Sequence, residues 1–341
     1  MRIAVDAMGS DLGPRTIVRG AVDALKSTND TSIVLVGRKE LLTKEIDKLH
    51  PSASILSHIE IENAEDVIEM HEPLSSLRGK RDSSIAKAVG LLKGKRADAL
   101  VAVGNTSVAV GATKFALSTI EGVRRAGIAV PMPSKQGVTI AIDMGANITS
   151  RPEDLATYGI MASIYCEDVI GTEHPRVGLL NVGEEQEKGN GMLKTAYGLL
   201  DRAPINFIGN VEGSDFFSGK CDIVVCDGFV GNVVLKASEA VAEFTGHLLR
   251  EGLRRNIIAK IGAWLSKSGF KFFKKRTDYA EYGGAPLLGV KGVCIIGHGK
   301  SNAQAIMNAI LKAKGSVLKR VNEKITDLCI KTSLRASSVS A

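Results

Sequence analysis

Short apolar runs closed by glycine set the pattern of this chain. Residues 2–5, 32–36, 98–103, 138–142, 176–181, 223–226 and 293–296 are aliphatic and β-branched with little alternation. Runs of that kind suit strands buried on both faces of a parallel sheet. Residues 58–62 are a further strand candidate. Between the runs the apolar positions return at helical spacing. A helix is expected over 14–26, with Pro14 in its first turn, where no N–H is needed. A polar helix is expected over 39–49, and another begins near Ile85, capped by Asp82 or Ser83. After the run 223–226, Gly228-Phe229-Val230-Gly231-Asn232 reads as a glycine turn. Val233, Val234, Ala237, Val241 and Phe244 then mark a helix. Strands alternating with helices predict an α/β fold.

Six of these runs end in loops of one chemical character, over 6–11, 104–107, 143–147, 182–190, 228–232 and 297–302. Each carries Gly with Asn, Asp, Ser or Lys. In an open α/β sheet ligands sit outside the carboxyl ends of the strands. Helix starts behind such loops aim free N–H groups at an anion. One shared anion site is therefore expected, with Asn105, Thr106 and Ser107 holding phosphate at the start of a helix of small residues. The segment 70–84 has no periodicity and reads as an exposed basic loop. Arg78, Lys80 and Arg81 are either phosphate ligands or solvated charges.

Familiar nucleotide motifs fail. Gly297-His298-Gly299 has Asn302 where a dinucleotide fingerprint needs glycine, and Gly299-Lys300-Ser301 has Cys294 where a P-loop needs glycine. No HExxH or clustered histidines occur, so no metal and no cofactor are expected.

Composition adds little until charge is located. In 341 residues there are 36 glycines and only 4% aromatics, which favours many tight βα loops. Five cysteines without CxxC spacing read as reduced, buried thiols. The opening MRIAVDAMG reaches Asp6 too early for a signal peptide, and no apolar run is long enough for a transmembrane helix. The formal charge of +7 is concentrated in 250–276. There nine cations, Arg254, Arg255 and Lys260 among them, face one acid, Glu251. The same stretch places Ile257, Ile258, Ile261, Trp264 and Leu265 at helical spacing, with Phe270, Phe272 and Phe273 beyond. Such a segment fits an anionic membrane surface, an acidic partner protein, or a stripe packed in the core or a dimer interface. It holds no recognised nucleic-acid module, and no nucleic acid is expected.

Several short stretches, in order along nearly the whole chain, resemble the bacterial phosphate acyltransferases of phospholipid synthesis. They are Asp6-Ala7-Met8-Gly9, Arg78-Gly79-Lys80, Gly104-Asn105-Thr106, Asp143-Met144-Gly145-Ala146-Asn147, Asn181-Val182-Gly183-Glu184 with Lys188-Gly189, and Asp227-Gly228-Phe229-Val230-Gly231-Asn232-Val233. Tyr282-Gly283-Gly284-Ala285-Pro286-Leu287-Leu288-Gly289 and His298-Gly299 with Ser301 complete the set. Ser10 stands where the family reads Gly, and Ser107-Val108 where it reads Gly-Ala. These residues are small enough for the loops to be expected to survive.

The resemblance implies a Rossmann-like, doubly wound, mostly parallel sheet in one domain over 1–331; the basic segment reads as a protruding helical hairpin at about 240–278, and the small, polar residues 332–341 read as a disordered tail. The resemblance also implies a homodimer that moves a long-chain acyl group from acyl carrier protein to inorganic phosphate. The acyl phosphate would pass to a membrane glycerol-3-phosphate acyltransferase, which puts a cytoplasmic protein at the inner face of an anionic membrane. Lys188 and Asn232 are then the expected catalytic pair, one on phosphate charge and one, with Gly231, on the thioester oxyanion. Arg254, Arg255, Ile257, Lys260, Ile261 and Trp264 are the expected docking surface for membrane or acyl carrier protein. Two alternatives are a phosphotransacetylase-like enzyme using coenzyme A esters and a non-catalytic membrane adaptor for acyl carrier protein.

Overall fold

The computed structural model describes residues 1–28, 30–271 and 282–339, the last seven as helical backbone alone. The expected positions Phe272, Phe273, Lys274, Lys275 and Arg276, the far end of the hairpin, and Ser340 and Ala341 lie outside the described residues.

Two mostly parallel sheets carry the α/β fold. The first holds seven strands in the order β3-β2-β1-β4-β12-β11-β5. They are β1 (Arg2–Asp6), β2 (Ser32–Gly37), β3 (Ile59–Asn63), β4 (Ala99–Gly104), β5 (Gly127–Ile128), β11 (Ala285–Leu288) and β12 (Val293–His298). The second orders five as β6-β7-β10-β8-β9. They are β6 (Val130–Ser134), β7 (Gly137–Ile142), β8 (Arg176–Leu180), β9 (Asn206–Val211) and β10 (Ile223–Val225). Parallel pairing links β3-β2-β1-β4-β12 and β7-β10-β8-β9, and β5, β6 and β11 pair antiparallel.

Alternate side chains of each strand enter different cores. Ile3 and Val5 of β1 pack with Ile17, Ala21, Ile306 and Ile310 of the helices Pro14–Lys26 and Ala303–Leu318. Ala4, on the opposite face, enters a cluster that also holds Leu100 of β4, Val108 and Ala112 of the helix Thr106–Leu117, and Ala141 and Val224 of the second sheet. One continuous core thus joins the sheets. The far face of the second sheet packs Ile140, Leu179 and Val225 on Leu155, Tyr158 and Met161 of the helix Pro152–Tyr165.

The six candidate loops divide three and three. Those after β1, β4 and β12 leave adjacent strands of the first sheet, and those after β7, β10 and β8 leave adjacent strands of the second. Two helices span the interval. The helix Thr106–Leu117 begins at β4 and donates from Lys114 Nζ to Ala146 O (3.0 Å) in the loop after β7. The helix Gly228–Arg254 begins at β10 and brings Lys236 and Glu239 within electrostatic reach of His298 at the end of β12.

Beyond Glu239 the helix Gly228–Arg254 leaves the body. Of its 27 residues only Gly228 and Gly231 are buried, and it folds back as the helix Ile257–Leu265, capped by Asn256 Oδ1 on the Ala259 N–H at 2.8 Å. The final helix runs Val321–Val339, across most of the segment expected to be a disordered tail. No Gly or Pro interrupts that stretch, so nothing in it stops a helix that starts on the buried Val321 and Ile325.

Candidate active site

The helix start behind β10 differs from the sequence reading. The helix begins at Gly228, not after Asn232, and its cap is Asp227. Asp227 Oδ1 accepts from the N–H groups of Phe229 (3.0 Å) and Val230 (3.1 Å), and the Gly231 N–H bonds Asp227 O at 2.9 Å. These backbone donors are spent, and an anionic cap already occupies the positive end of the helix. Oxyanion donation from backbone N–H groups around Gly231 is therefore corrected. What remains is the side chain of Asn232, exposed in the first turn.

The glycines here serve packing. A Cβ on Gly228 would overlap Asn147 O, and one on Gly231 would overlap Asp143 O. Gly145, at φ 117°, lies so close to Asn232 that a Cβ there would sit 3.2 Å from its Oδ1. The loop 143–147 is thus the seat of Asn232. Asp143 shapes it from inside. Its carboxylate accepts from the N–H groups of Ile128 (3.0 Å), Ala146 (2.9 Å) and Asn147 (2.9 Å), and from Asn147 Nδ2 (2.9 Å). Burial pushes the Asp143 carboxyl up from its ordinary value, and these donors oppose the shift.

The opposite situation holds behind β4. Asn105 Oδ1 caps the Val108 N–H at 3.2 Å, and its Nδ2 donates to Met70 O (3.0 Å) and Glu72 O (2.9 Å). Asn105 is therefore an organiser of the segment 70–84 rather than a free phosphate ligand. Thr106 and Ser107 are exposed in the first turn of a neutral-capped helix, a better seat for an anion. Val108, in place of the family's small residue, is buried in the core shared by both sheets. Ser10 is also absorbed: its Oγ donates to Gly299 O (3.1 Å) and accepts from the Leu12 N–H (3.2 Å), tying the loops after β1 and β12. Asp6, buried at the end of β1, is pushed up to about 6 by burial, against hydrogen bonds from Ser84, Met8 and Gly9.

Over this helix the segment 70–84 is more ordered than its sequence suggests. Leu74–Arg78 forms a 3₁₀ turn against Gly111. Lys80 is half-buried and engaged, donating to Val67 O (2.8 Å) and Glu72 Oε2 (2.7 Å). Arg78 is exposed at the end of the turn. Ser83 occupies the cap position of the helix Ser84–Lys93 but makes no side-chain cap bond, and Asp82 pairs with Lys87 at 2.7 Å instead.

Lys188 projects from a clamped loop. Asn181 Nδ2 donates to Lys188 O (3.1 Å), Asn210 Nδ2 to Glu185 O (2.8 Å), and Lys220 pairs with Glu184 at 2.6 Å. Gly189, at φ 86°, turns the chain where a Cβ would collide with Asn181. The Lys188 side chain is exposed. Its loop and that of Asn232 leave neighbouring strands, β8 and β10, on the same side of one sheet. Thr106, Ser107 and Arg78 belong to the other loop group. His298 Nδ1 accepts from the Lys300 N–H (3.1 Å), and burial lowers its pKa, so it serves its own loop.

Two features escaped the sequence reading: the depth of Asp143 and the role of Lys114. Lys114 is the lone charge in a helix of small and apolar residues, TSVAVGATKFAL, and that isolation was the available signal. Among the described residues no cluster of three or more metal-ligating side chains occurs. A hollow of about 360 Å³ at Arg19, Lys26 and His50 lies at the amino ends of the strands, and there Asp23 pairs with both cations.

The model of the family described as "Fatty acid synthesis protein" matches residues 1–324. A phosphate acyltransferase of Halothermothrix orenii is 45% identical over 324 residues, covering 94% of this chain and 96% of that protein. The chain belongs to this family. A second phosphate acyltransferase, of Pelotomaculum thermopropionicum, is 45% identical over 326 residues, covering 95% and 94%. Membership in the phosphate acyltransferase family makes an acyltransferase, with phosphate as a substrate. Solved structures share the α/β fold. A phosphotransacetylase from Streptococcus pyogenes matches with TM-score 0.61 at 14% identity over 94% of each chain. The EutD phosphotransacetylase of Staphylococcus aureus matches with TM-score 0.59 at 15%, over 93% and 94%.

Proposed function

We propose that this phosphate acyltransferase moves a long-chain fatty acyl group from acyl carrier protein to inorganic phosphate, yielding acyl phosphate for phospholipid synthesis. Full-length similarity to named phosphate acyltransferases carries the reading, and the open helix start at Thr106 and Ser107 supports it. Phosphate is already a nucleophile near neutral pH, so positioning and charge stabilisation suffice. A phosphate oxygen attacks the thioester carbon, the C–O bond forms, and the C–S bond breaks. The thiolate leaves and takes a proton from solvent or Lys188. Asn232 Nδ2 donates to the carbonyl oxygen as it becomes an oxyanion, and Lys188 neutralises phosphate charge. Phe229, 61% exposed beside Asn232, offers an apolar rest for the acyl or pantetheine arm.

The deciding experiment supplies inorganic phosphate with either palmitoyl-acyl carrier protein or palmitoyl-coenzyme A and measures acyl phosphate. Faster turnover of the carrier-protein thioester supports the reading. A preference for the coenzyme A ester would replace it with phosphotransacetylase-like chemistry, the activity named for the solved structures of similar fold.

The hairpin is the expected docking surface. Among the described residues the stripe lies outside the core, with Ile257 75%, Ile258 82% and Trp264 72% exposed. Arg254, Arg255 and Lys260 are exposed beside them. Among the described residues no helix is long and apolar enough to cross a membrane. Apolar anchors among cations fit the inner face of an anionic bilayer, where a membrane glycerol-3-phosphate acyltransferase would take the product. Replacing Ile257, Ile261 and Trp264 with Ser is expected to abolish binding to phosphatidylglycerol vesicles. Unchanged binding would reassign the stripe to a homodimer interface or to acyl carrier protein, which sedimentation and carrier-protein titration of the same variant separate.

A further inference from the structure

The helix Thr106–Leu117 meets both loop groups. Its first turn presents Thr106 and Ser107, and two turns later Lys114 Nζ donates to Ala146 O (3.0 Å) and Asn147 Oδ1 (2.9 Å). Asn147, 4% exposed, passes this contact inward. Its Nδ2 bonds the Asp143 carboxylate (2.9 Å), Ala126 O (2.7 Å) and the Tyr158 hydroxyl (2.9 Å). The backbone of the same loop abuts Gly228 and Gly231, and Gly145 abuts Asn232.

We infer that Lys114 is a positioning residue that couples the anion seat at Thr106 and Ser107 to the seat of Asn232, by fastening the loop 143–147 and balancing the charge of Asp143 beneath it. This rests on the proposed acyl transfer. The groups facing Asp143 are the Lys114 cation, Tyr158 and Cys226, with the Arg125 cation beside Lys114 and Tyr158. Behind Tyr158 lies the Arg124–Asp154 ion pair, and Asp227 lies near Cys226. Arg125 Nη1 reaches Asn147 Oδ1 at 3.4 Å against 2.9 Å for Lys114 Nζ, so Lys114 makes the shorter bond to the loop. Burial lowers the Lys114 pKa from its ordinary value, and attraction to Asp143 opposes that shift.

Two variants separate geometry from charge. Lys114→Met removes both, and Lys114→Gln keeps an N–H donor while removing charge. In Lys114→Met, kcat is expected to fall roughly tenfold to a hundredfold while the KM for phosphate stays near wild type, because the phosphate seat lies at the far end of the helix. In Lys114→Gln the Asp143 carboxyl loses its counter-charge and its pKa rises further. The acid limb of kcat is therefore expected at higher pH than in wild type. A kcat unmoved in Lys114→Met, or an acid limb unmoved in Lys114→Gln, overturns the inference.

Thermal unfolding of Lys114→Gln supplies a readout independent of activity. A carboxyl whose folded pKa is raised costs stability when ionised and recovers it as pH falls through that pKa. The deficit of Lys114→Gln against wild type is thus expected at pH 8 and to narrow at pH 5. A deficit of constant size would mean a structural hydrogen bond alone, and no deficit would remove the charge pairing. If wild type makes no acyl phosphate from either donor, the functional reading fails while this pH dependence still tests Lys114.

Discussion

Lys188→Ala and Asn232→Ala are each expected to lower acyl phosphate formation by roughly 10²–10³, the effect of losing one preorganised donor to a developing oxyanion or its phosphate counterpart. Both side chains are exposed on loops from neighbouring strands, so truncation leaves no cavity and the fold is expected to stand. The two losses differ in form. The residue that meets phosphate raises its KM when removed. The residue that meets only the oxyanion lowers kcat at saturating phosphate. Lys188, as a flexible cation, is expected to show the first pattern, and Asn232, locked against Gly145, the second. Initial rates over a phosphate series for each variant, with circular dichroism to confirm folding, decide this. Near wild-type rates from both variants would sink the site, and reversed patterns would exchange the two roles.

The clamped side chains explain which parts of this site were legible. Parallel strands buried on both faces read as unbroken apolar runs, and β1, β2, β4, β7, β8, β10 and β12 fall where the pattern put them to within two residues. The split into two sheets was not legible. It depends on short antiparallel strands such as β6, VPMPS, whose two prolines argue against a strand everywhere except at an edge. The helix at Gly228 was read late for a related reason. Glycine signals a turn when local propensity decides, but here Gly228 and Gly231 are required by the carbonyl oxygens of Asn147 and Asp143, partners some eighty residues away. Sequence also names a side chain without saying what it is spent on. Asn105 and Lys80 have the chemistry of phosphate ligands, yet both hold the segment 70–84. Thr106 and Ser107 differ only in being left open.

Gly231→Ala is expected to be among the most damaging single methyl additions in the described residues. Gly231 is buried in the first turn of the long helix, and its missing Cβ is where Asp143 O already lies. The neighbour is backbone, not the end of a flexible side chain, and Asp143 cannot yield. Its carboxylate holds four N–H bonds and its N–H is bonded to Cys226 O at 3.0 Å. The helix start must move instead, carrying Asn232 off Gly145. Overpacking of this kind costs about 1–3 kcal/mol. Displacement of a reacting group by about 1 Å costs on the order of a hundredfold in rate. Gly246→Ala in the same helix is the control, because a Cβ there would meet only Arg250 Nη2 at 3.8 Å. With the interior backbone free of strain, alanine is expected to stabilise it by about 0.5–1 kcal/mol. Denaturant unfolding and acyl phosphate formation measured on both variants set the comparison. A Gly231→Ala protein as stable and active as Gly246→Ala would show that the helix start is not seated on Asp143, and the account of how Asn232 is held would go with it.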